Sequence, residues 1–178
     1  MTQYANFINT LKSQCDKSWL TPSQRSIFDK LDSGFTTQRV VNVYGAEGTG
    51  KTFLGWILEK ENMGKYFVNV EDLKQYLISN HGPNGIVAVI DNFPADRKAH
   101  RDFRSKMLDM GVERSVVLTQ FAIPDDVPKL LLEFRDQDRQ HFKHTCYSKA
   151  RLQITVESER DNMHSLIKNN IWKWSDAR

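Results

Sequence analysis

The sequence predicts a three-layer α/β/α sandwich around a mostly parallel, five-stranded sheet. Short β-branched segments alternate along the chain with longer segments whose apolar residues recur at helical spacing, and this alternation is typical of parallel sheets covered on both faces. The run 86–90, IVAVI, is the most apolar in the chain and predicts a central strand buried on both faces. A glycine-rich segment, 45–52, separates the first predicted strand from the next helix.

The predicted elements follow one another in regular order. Before the first strand, Thr21 and Pro22 are a typical helix cap and first helical residue. Further along, the segment 81–85, HGPNG, predicts a turn, and Gly111 ends a charged amphipathic helix. Helices are predicted from apolar spacing over 4–15, 22–31, 52–61, 71–80, 96–109, 126–141 and 160–174. Strands are predicted from short β-branched runs over 39–44, 65–70, 86–90, 115–121 and 151–157.

Length and composition indicate one globular domain. The chain has 178 residues, of which 39% are hydrophobic and 26% are charged, and its formal net charge is +3. Residues 1–35 are expected to form N-terminal helices, 36–158 the core and 159–178 a C-terminal helix. No apolar run approaches the length of a membrane span, and the first residues lack the layout of a signal peptide. We therefore expect a cytoplasmic protein with no membrane partner.

The strongest functional signal is the run 45–52, which matches the phosphate-binding pattern GxxxxGK[ST]. A glycine-rich turn between a strand and a helix exposes several backbone N–H groups, which hold phosphate oxygens together with the helix N-terminus. Lys51 is expected to reach the β- and γ-phosphates of ATP, and the Thr52 hydroxyl to bind Mg²⁺. The residues expected to bind the nucleotide are Gly45, Ala46, Glu47, Gly48, Thr49, Gly50, Lys51, Thr52 and Phe53.

A second metal contact is expected at Asp91, which ends the central apolar run about forty residues after the lysine of the loop. Many P-loop ATPases place a glutamate directly after this aspartate to orient the attacking water, but here the residue is Asn92. An amide can hydrogen-bond to water but cannot accept its proton. Two interpretations remain open. Hydrolysis is slow and ATP acts as an assembly switch, or Asp96 or Glu47 serves as the base.

With these motifs in place, the chain resembles the AAA+ branch of P-loop ATPases over roughly residues 20–160. The resemblance implies a γ-phosphate sensor on the strand at 116–120, with Thr119 or Gln120 in that role. It also implies an arginine that completes a neighbouring subunit's site, near the end of the helix before the fifth strand. The catalytic residues implied are Lys51, Asp91, Asn92, Thr119, Gln120, Arg135 and Arg139.

Within that branch, the segment 66–73 and the pair at 91–92 resemble replication initiators, helicase loaders and transposition-helper ATPases. Those proteins assemble on DNA in an ATP-dependent way. They usually carry a helical lid after the fifth strand, whereas only about twenty residues follow Glu157 here. Arg160 is the candidate for part of the lid's role. Small ATPases without a lid occur in multi-protein machines, including BREX-type phage-defence systems, which this chain resembles in size and layout.

Two weaker features have open interpretations. The segment 20–24, LTPSQ, resembles an adenine-reading element of some helicases, and the alternative is a capped helix start with an exposed Gln24. Arg97, Arg101 and Arg104 share one face of a predicted helix. That stripe would contact a phosphate backbone or a neighbouring subunit, or it is a solvated helix face.

Three functional hypotheses follow. The first is a small AAA+-like ATPase that binds ATP and Mg²⁺, forms a homo-oligomer or joins a larger complex, and acts on DNA. The second is a small-molecule or nucleoside kinase, in which Glu71 and Asp72 would bind a sugar hydroxyl, although no arginine-rich lid is recognisable. The third is a nucleotide-gated adaptor with negligible turnover, which Asn92 would suit.

Overall fold

A computed structural model describes residues 2–34, 39–80, 85–155, 158 and 161–174. Its centre is a five-stranded, all-parallel sheet with the strand order β2-β3-β4-β1-β5. The strands are β1 Val40–Tyr44, β2 Lys65–Phe67, β3 Ile86–Ile90, β4 Val112–Thr119 and β5 Lys129–Leu131. The predicted α/β fold class is confirmed.

Helices cover both faces of this sheet. They are α1 Gln3–Gln14, α2 Pro22–Gly34, α3 Lys51–Lys60, α4 Val70–Ser79, α5 Arg97–Lys106, α6 Asp136–Ala150 and α7 Met163–Asn170. Two short 3₁₀ helices, Lys17–Trp19 and Ile171–Lys173, follow α1 and α7. None of the helices in the described ranges combines the length and the apolar content needed to cross a bilayer.

The two faces of the sheet carry separate apolar clusters, because successive side chains of a strand point to opposite faces. Val43 and Leu118 belong to a cluster that also contains buried residues of α1, α2, α3, α6 and α7. Val40 and Val117 belong to the second cluster, which contains buried residues of α4 and α5. This division gives the three predicted layers.

The prediction for the fifth strand is wrong. Residues 129–131 pair with β1, in the register Val43↔Leu130, and they lie inside the segment 126–141 that was predicted as a helix. The leucines there are good helix formers, but pairing with a buried strand overrides that local preference. The helix, α6, begins only at Asp136 and continues to Ala150.

The segment predicted as the fifth strand, 151–157, makes no strand in its described part, 151–155. Its alternating pattern instead places Leu152 and Ile154 in the apolar cluster beneath α1, α2 and α3. The predicted closing helix is shorter than expected, because α7 begins at Met163. Residues 156 and 157, the turn residues 81–84 and the candidate Arg160 lie outside the described residues.

Candidate nucleotide-binding site

Most of the sequence-predicted site residues meet at one edge of the sheet, because the carboxyl ends of parallel strands share that edge. Two adjoining cavities of about 420 and 440 Å³ lie there. Both are lined by the phosphate loop and by Asp91 and Asn92, which directly follow β3. The second cavity also reaches Thr119 and Gln120 at the end of β4. Arg135 and Arg139 line neither cavity.

The phosphate loop connects β1 to α3 and has the backbone shape of an anion-binding turn. Gly48 and Gly50 have φ angles of 76° and 89°, in the left-handed region that favours glycine. Gly50 is also the N-cap of α3 and supplies no side-chain hydrogen bond to the first turn. The first N–H groups of α3 are therefore left for an external acceptor such as a phosphate.

Lys51 lies across this loop. Its Nζ donates hydrogen bonds to the carbonyl oxygens of Gly45, at 2.6 Å, and Ala46, at 2.8 Å. An ammonium group has three donors, so one remains for an anion. Burial lowers the pKa of Lys51, and the carboxylates of Asp91 and Glu47 oppose that shift.

Asp91 is buried and held by three donors. Its Oδ2 accepts hydrogen bonds from the Thr52 hydroxyl at 2.6 Å and the Tyr66 hydroxyl at 2.8 Å, and its Oδ1 accepts one from the Asn92 N–H at 2.8 Å. Burial raises the pKa of Tyr66, and the nearby Asp91 charge raises it further. Tyr66 therefore stays a hydrogen-bond donor and fixes the orientation of the carboxylate.

The Thr52–Asp91 pair fits a magnesium ion by its chemistry, because hydroxyl and carboxylate oxygens are hard ligands. The described residues contain no cluster of three or more His, Cys, Asp or Glu side chains suited to a metal. A metal at this pair would thus depend on phosphate and water oxygens for its other ligands, which is the usual situation for protein-bound Mg²⁺.

Asn92 has a φ angle of 46°, in the left-handed region. Asparagine tolerates this conformation better than most residues. Its Nδ2 donates to the Val68 carbonyl at 3.0 Å. Of the two alternative bases, Asp96 caps α5 by accepting a hydrogen bond from the Ala99 N–H, and only Glu47 lines the cavities.

The two sensor candidates differ in whether their polar groups are free to contact a ligand. The Thr119 hydroxyl accepts a hydrogen bond from Asn42 Nδ2 and donates one to the Phe121 carbonyl, each at 2.7 Å, and the residue is buried. Gln120 is exposed and lines the second cavity. The geometry therefore favours Gln120 as the polar group that faces a ligand, with Thr119 as part of its support.

Asn42 anchors this support. Its side chain is fully buried, donates to Thr119 and accepts a hydrogen bond from the Ile123 N–H at 2.9 Å. We expect Asn42→Ala to lower the free energy of unfolding by about 2 kcal/mol, because it leaves the buried Thr119 hydroxyl and Ile123 N–H without the hydrogen bonds that Asn42 now supplies. Urea unfolding would measure the change.

Ser115→Ala is the matched control, since Ser115 Oγ is buried on the same sheet without a hydrogen-bond partner among the described residues. That variant should be near neutral in urea unfolding. Equal destabilisation by Asn42→Ala and Ser115→Ala would contradict the anchoring role.

The two candidate trans arginines follow the fifth strand instead of preceding it, so the positional reason for choosing them is wrong. The segment before that strand, 120–128, contains no arginine. Arg135 is exposed and pairs with Glu133 at 2.6 Å. Arg139 is buried, and its Nη1 donates to the carbonyls of Ser158 at 3.0 Å and Asp161 at 2.6 Å. A role in a neighbouring subunit's site would require Arg139 to break these bonds.

Sequence reasoning missed the apolar wall of the first cavity. Tyr4 of α1 and His164 of α7 meet there, with the Tyr4 hydroxyl 2.9 Å from His164 Nδ1. No local pattern links residues 160 positions apart. The apolar side chains of this wall include Ile8, Trp19, Trp56, Phe142, Met163 and Ile167.

Gln24 is buried, in contrast to the exposed side chain expected for a simple capped helix start. Its Nε2 donates to the Gly50 carbonyl at 3.0 Å, and its Oε1 accepts from the Thr21 N–H at 3.0 Å. In this structure the amide therefore supports the phosphate loop from beneath, and both of its polar atoms are occupied.

The strand order, the glycine-rich loop between β1 and α3 and the aspartate after β3 together define a parallel α/β fold with a phosphate loop at the carboxyl edge of its sheet. The sequence matches no protein-family model and no curated protein. Among solved structures, the chain is similar to a DNA replication initiation factor, with a TM-score of 0.53 and 13% identity over 82% of this chain. It is also similar to AMPPCP-bound DnaA from Aquifex aeolicus, with a TM-score of 0.51 and 12% identity over 84%.

These similarities establish the shared fold. The chain spans 57% of the length of the first structure and 60% of the second.

Proposed function

We propose that this protein binds ATP with Mg²⁺ at the carboxyl edge of its sheet and hydrolyses it slowly when alone. The observation that carries the proposal is the arrangement of Lys51, Thr52 and Asp91 around the phosphate loop, with hydrogen bonds of 2.6–2.8 Å. The presence of the ATP analogue AMPPCP in the structurally similar DnaA supports an adenine nucleotide.

Different groups of the chain would bind different parts of the nucleotide. Backbone N–H groups of the loop and the remaining donor of Lys51 would hold the phosphates. The apolar wall of the first cavity, to which α1 and α7 contribute side chains, would cover the base and exclude water. Bound Mg²⁺ would neutralise phosphate charge, and Thr52 and Asp91 would supply its protein ligands.

Slow hydrolysis follows from the groups around the γ-phosphate position. Asn92 cannot accept a proton from water, and Asp96 is occupied as a helix cap. The described residues that line the two cavities include two carboxylates, Asp91 and Glu47. Glu47 is exposed and is therefore the candidate that remains for the base. Gln120 would orient the water or contact the γ-phosphate. A partner that supplies a further group would accelerate the reaction.

Nucleotide-dependent assembly, as a homo-oligomer or within a larger complex, is part of the proposal. Phe121 lines the second cavity and is 67% exposed. A large apolar side chain beside a nucleotide site suits burial against another subunit. Arg135, which is exposed, would be the arginine offered to that subunit.

DNA is the proposed polyanionic partner, because α5 carries an exposed cationic face. Apart from the buried His100, which pairs with Asp125, none of its basic residues forms an ion pair with a described carboxylate. These exposed residues are Arg97, Lys98, Arg101, Arg104 and Lys106. The helix begins shortly after Asp91, so DNA contact and the nucleotide site would be close in the chain.

We expect simultaneous replacement of Arg97, Arg101 and Arg104 by glutamine to weaken single-stranded DNA binding at least tenfold and to reduce its salt dependence, because phosphate contacts are lost. Fluorescence anisotropy with a labelled oligonucleotide would measure both. Lys74→Gln, on α4, is the control for loss of an exposed lysine. Unchanged DNA affinity in the triple variant would exclude α5 as the contact surface.

Calorimetric titration of the protein with ATP, ADP, GTP and adenosine, with Mg²⁺ and with EDTA, tests the main proposal. Steady-state phosphate release with and without DNA, and mass in solution with and without ATP and DNA, test turnover and assembly. Absence of ATP binding would refute the proposal. Binding with no turnover under every condition would favour the adaptor.

Phosphate transfer to a nucleoside in the same assays would favour the kinase. The structure gives that alternative less support, because Glu71 pairs with Lys74 and Asp72 accepts a hydrogen bond from the Val68 N–H. Neither acid lines the cavities.

A further inference from the structure

The segment that leads into α7 lies directly on the phosphate loop. Asn162 Nδ2 donates a hydrogen bond to the Glu47 carbonyl at 3.0 Å, and the Met163 N–H donates to the Gly48 carbonyl at 3.0 Å. These are contacts between residues about 115 positions apart, and they join the C-terminal part of the described chain to the centre of the loop.

The packing at this contact is close. A Cβ atom at Gly48 would lie 2.3–2.5 Å from the side-chain amide atoms of Asn162. A Cβ atom at Gly50 would lie 2.3 Å from Met163 Sδ. Real Cβ atoms essentially never approach other heavy atoms so closely, so the two glycines permit the approach of α7 as well as the turn of the loop.

Asn162 is itself held firmly. It is the N-cap of α7, where its Oδ1 accepts a hydrogen bond from the Ser165 N–H and its own N–H donates to Ser165 Oγ, each at 2.9 Å. Just before it, the Asp161 carbonyl accepts the 2.6 Å hydrogen bond from Arg139. The amide that reaches Glu47 is therefore fixed from both sides along the chain.

We propose that Asn162 is a positioning residue that holds the backbone of the phosphate loop in the conformation that binds its ligand. A peptide unit is planar, so fixing a carbonyl also fixes the N–H of the next residue. The bonds to the Glu47 and Gly48 carbonyls thereby orient the Gly48 and Thr49 N–H groups, which belong to the phosphate-binding run. The inference rests on the proposed binding of a nucleotide at this loop.

Preorganisation of this kind lowers the ordering cost of binding. Loss of the Asn162–Glu47 bond should therefore weaken ATP binding about tenfold, on the scale of one hydrogen bond. Adenosine has no phosphate, and its weaker binding should be unchanged. Arg139 would keep the preceding segment in place, so the effect is expected at the loop and not at the apolar wall.

Asn162→Ser and Asn162→Ala provide the test. Serine is a good, uncharged N-cap, so it keeps the bond to Ser165 but is too short to reach Glu47. Thermal unfolding should place Asn162→Ser near the wild type and Asn162→Ala below it. Calorimetry should show the same loss of ATP affinity in both, and ligand-observed NMR should show unchanged adenosine binding.

Asn69→Ser is the matched control, because Asn69 caps α4 in the same way on the other face of the sheet. Wild-type ATP affinity in Asn162→Ser would overturn the inference, and so would a parallel loss of ATP and adenosine binding. Failure of the wild-type protein to bind ATP would instead refute the proposed function itself, together with the inference that depends on it.

Discussion

Lys51→Ala is expected to reduce ATP affinity at least roughly 100-fold, because charge-assisted hydrogen bonds to phosphate are among the strongest in proteins. Lys51 is the single lysine or arginine among the described residues that line the two cavities. Its removal leaves the phosphates facing Asp91 and Glu47 without a protein cation. It also frees the Gly45 and Ala46 carbonyls, which now accept from its Nζ.

Calorimetric titration with MgATP measures this loss, and thermal unfolding must show that the variant is folded. Lys74→Ala is the control, since Lys74 lies on α4 and pairs with Glu71 at the surface. Unchanged affinity in a folded Lys51→Ala protein would refute nucleotide binding at the loop.

The pH dependence of binding offers a second readout of the same group. Burial lowers the pKa of Lys51, so the unliganded protein loses this charge at a less alkaline pH than an ordinary lysine would. Since the charged form binds phosphate, ATP affinity should fall as the pH rises through that lowered pKa. Lys51→Ala should lack this alkaline decline.

The features that were predictable from the sequence are those that a short, contiguous segment encodes. The phosphate loop needs only residues 45–52 between a strand and a helix, and Asp91 needs only its place after the apolar run 86–90. Both features therefore emerged from the spacing of residues along the chain.

The features that were not predictable depend on distant partners. Lys129–Leu131 has helix-favouring leucines, and only pairing with β1 makes it a strand. Tyr4 meets His164, and Asn162 meets Glu47, across most of the chain length. Nothing in the sequence indicated that Tyr66 belongs to the site, because its hydroxyl reaches Asp91 only when β2 and β3 pair.

Asn92→Glu is expected to accelerate ATP hydrolysis roughly 100-fold, the lower end of the range for a positioned general base. The substitution places a carboxylate directly after Asp91, where it can accept a proton from the attacking water. Glutamate in the left-handed conformation now held by Asn92, with its φ of 46°, costs roughly 1–2 kcal/mol. The hydrogen bond to the Val68 carbonyl is also lost.

Asn92→Gln separates these effects, because glutamine has the length and the backbone strain of glutamate but cannot accept the proton. Its hydrolysis rate should stay close to that of the wild type, while both variants bind ATP equally. Single-turnover phosphate release at saturating MgATP measures the chemical step without the influence of product release. Equal rates for the two variants would show that the amide at position 92 does not limit hydrolysis.

Glu47→Gln completes the comparison in the wild-type and Asn92→Glu backgrounds. If Glu47 supplies the residual base, its loss should lower the wild-type rate but have little effect once a glutamate stands at position 92. If it lowers both rates equally, its contribution is to the binding or orientation of the nucleotide. A slow rate measured for the isolated protein would then follow from the missing base alone, and a partner that stimulates hydrolysis would have to supply or position one.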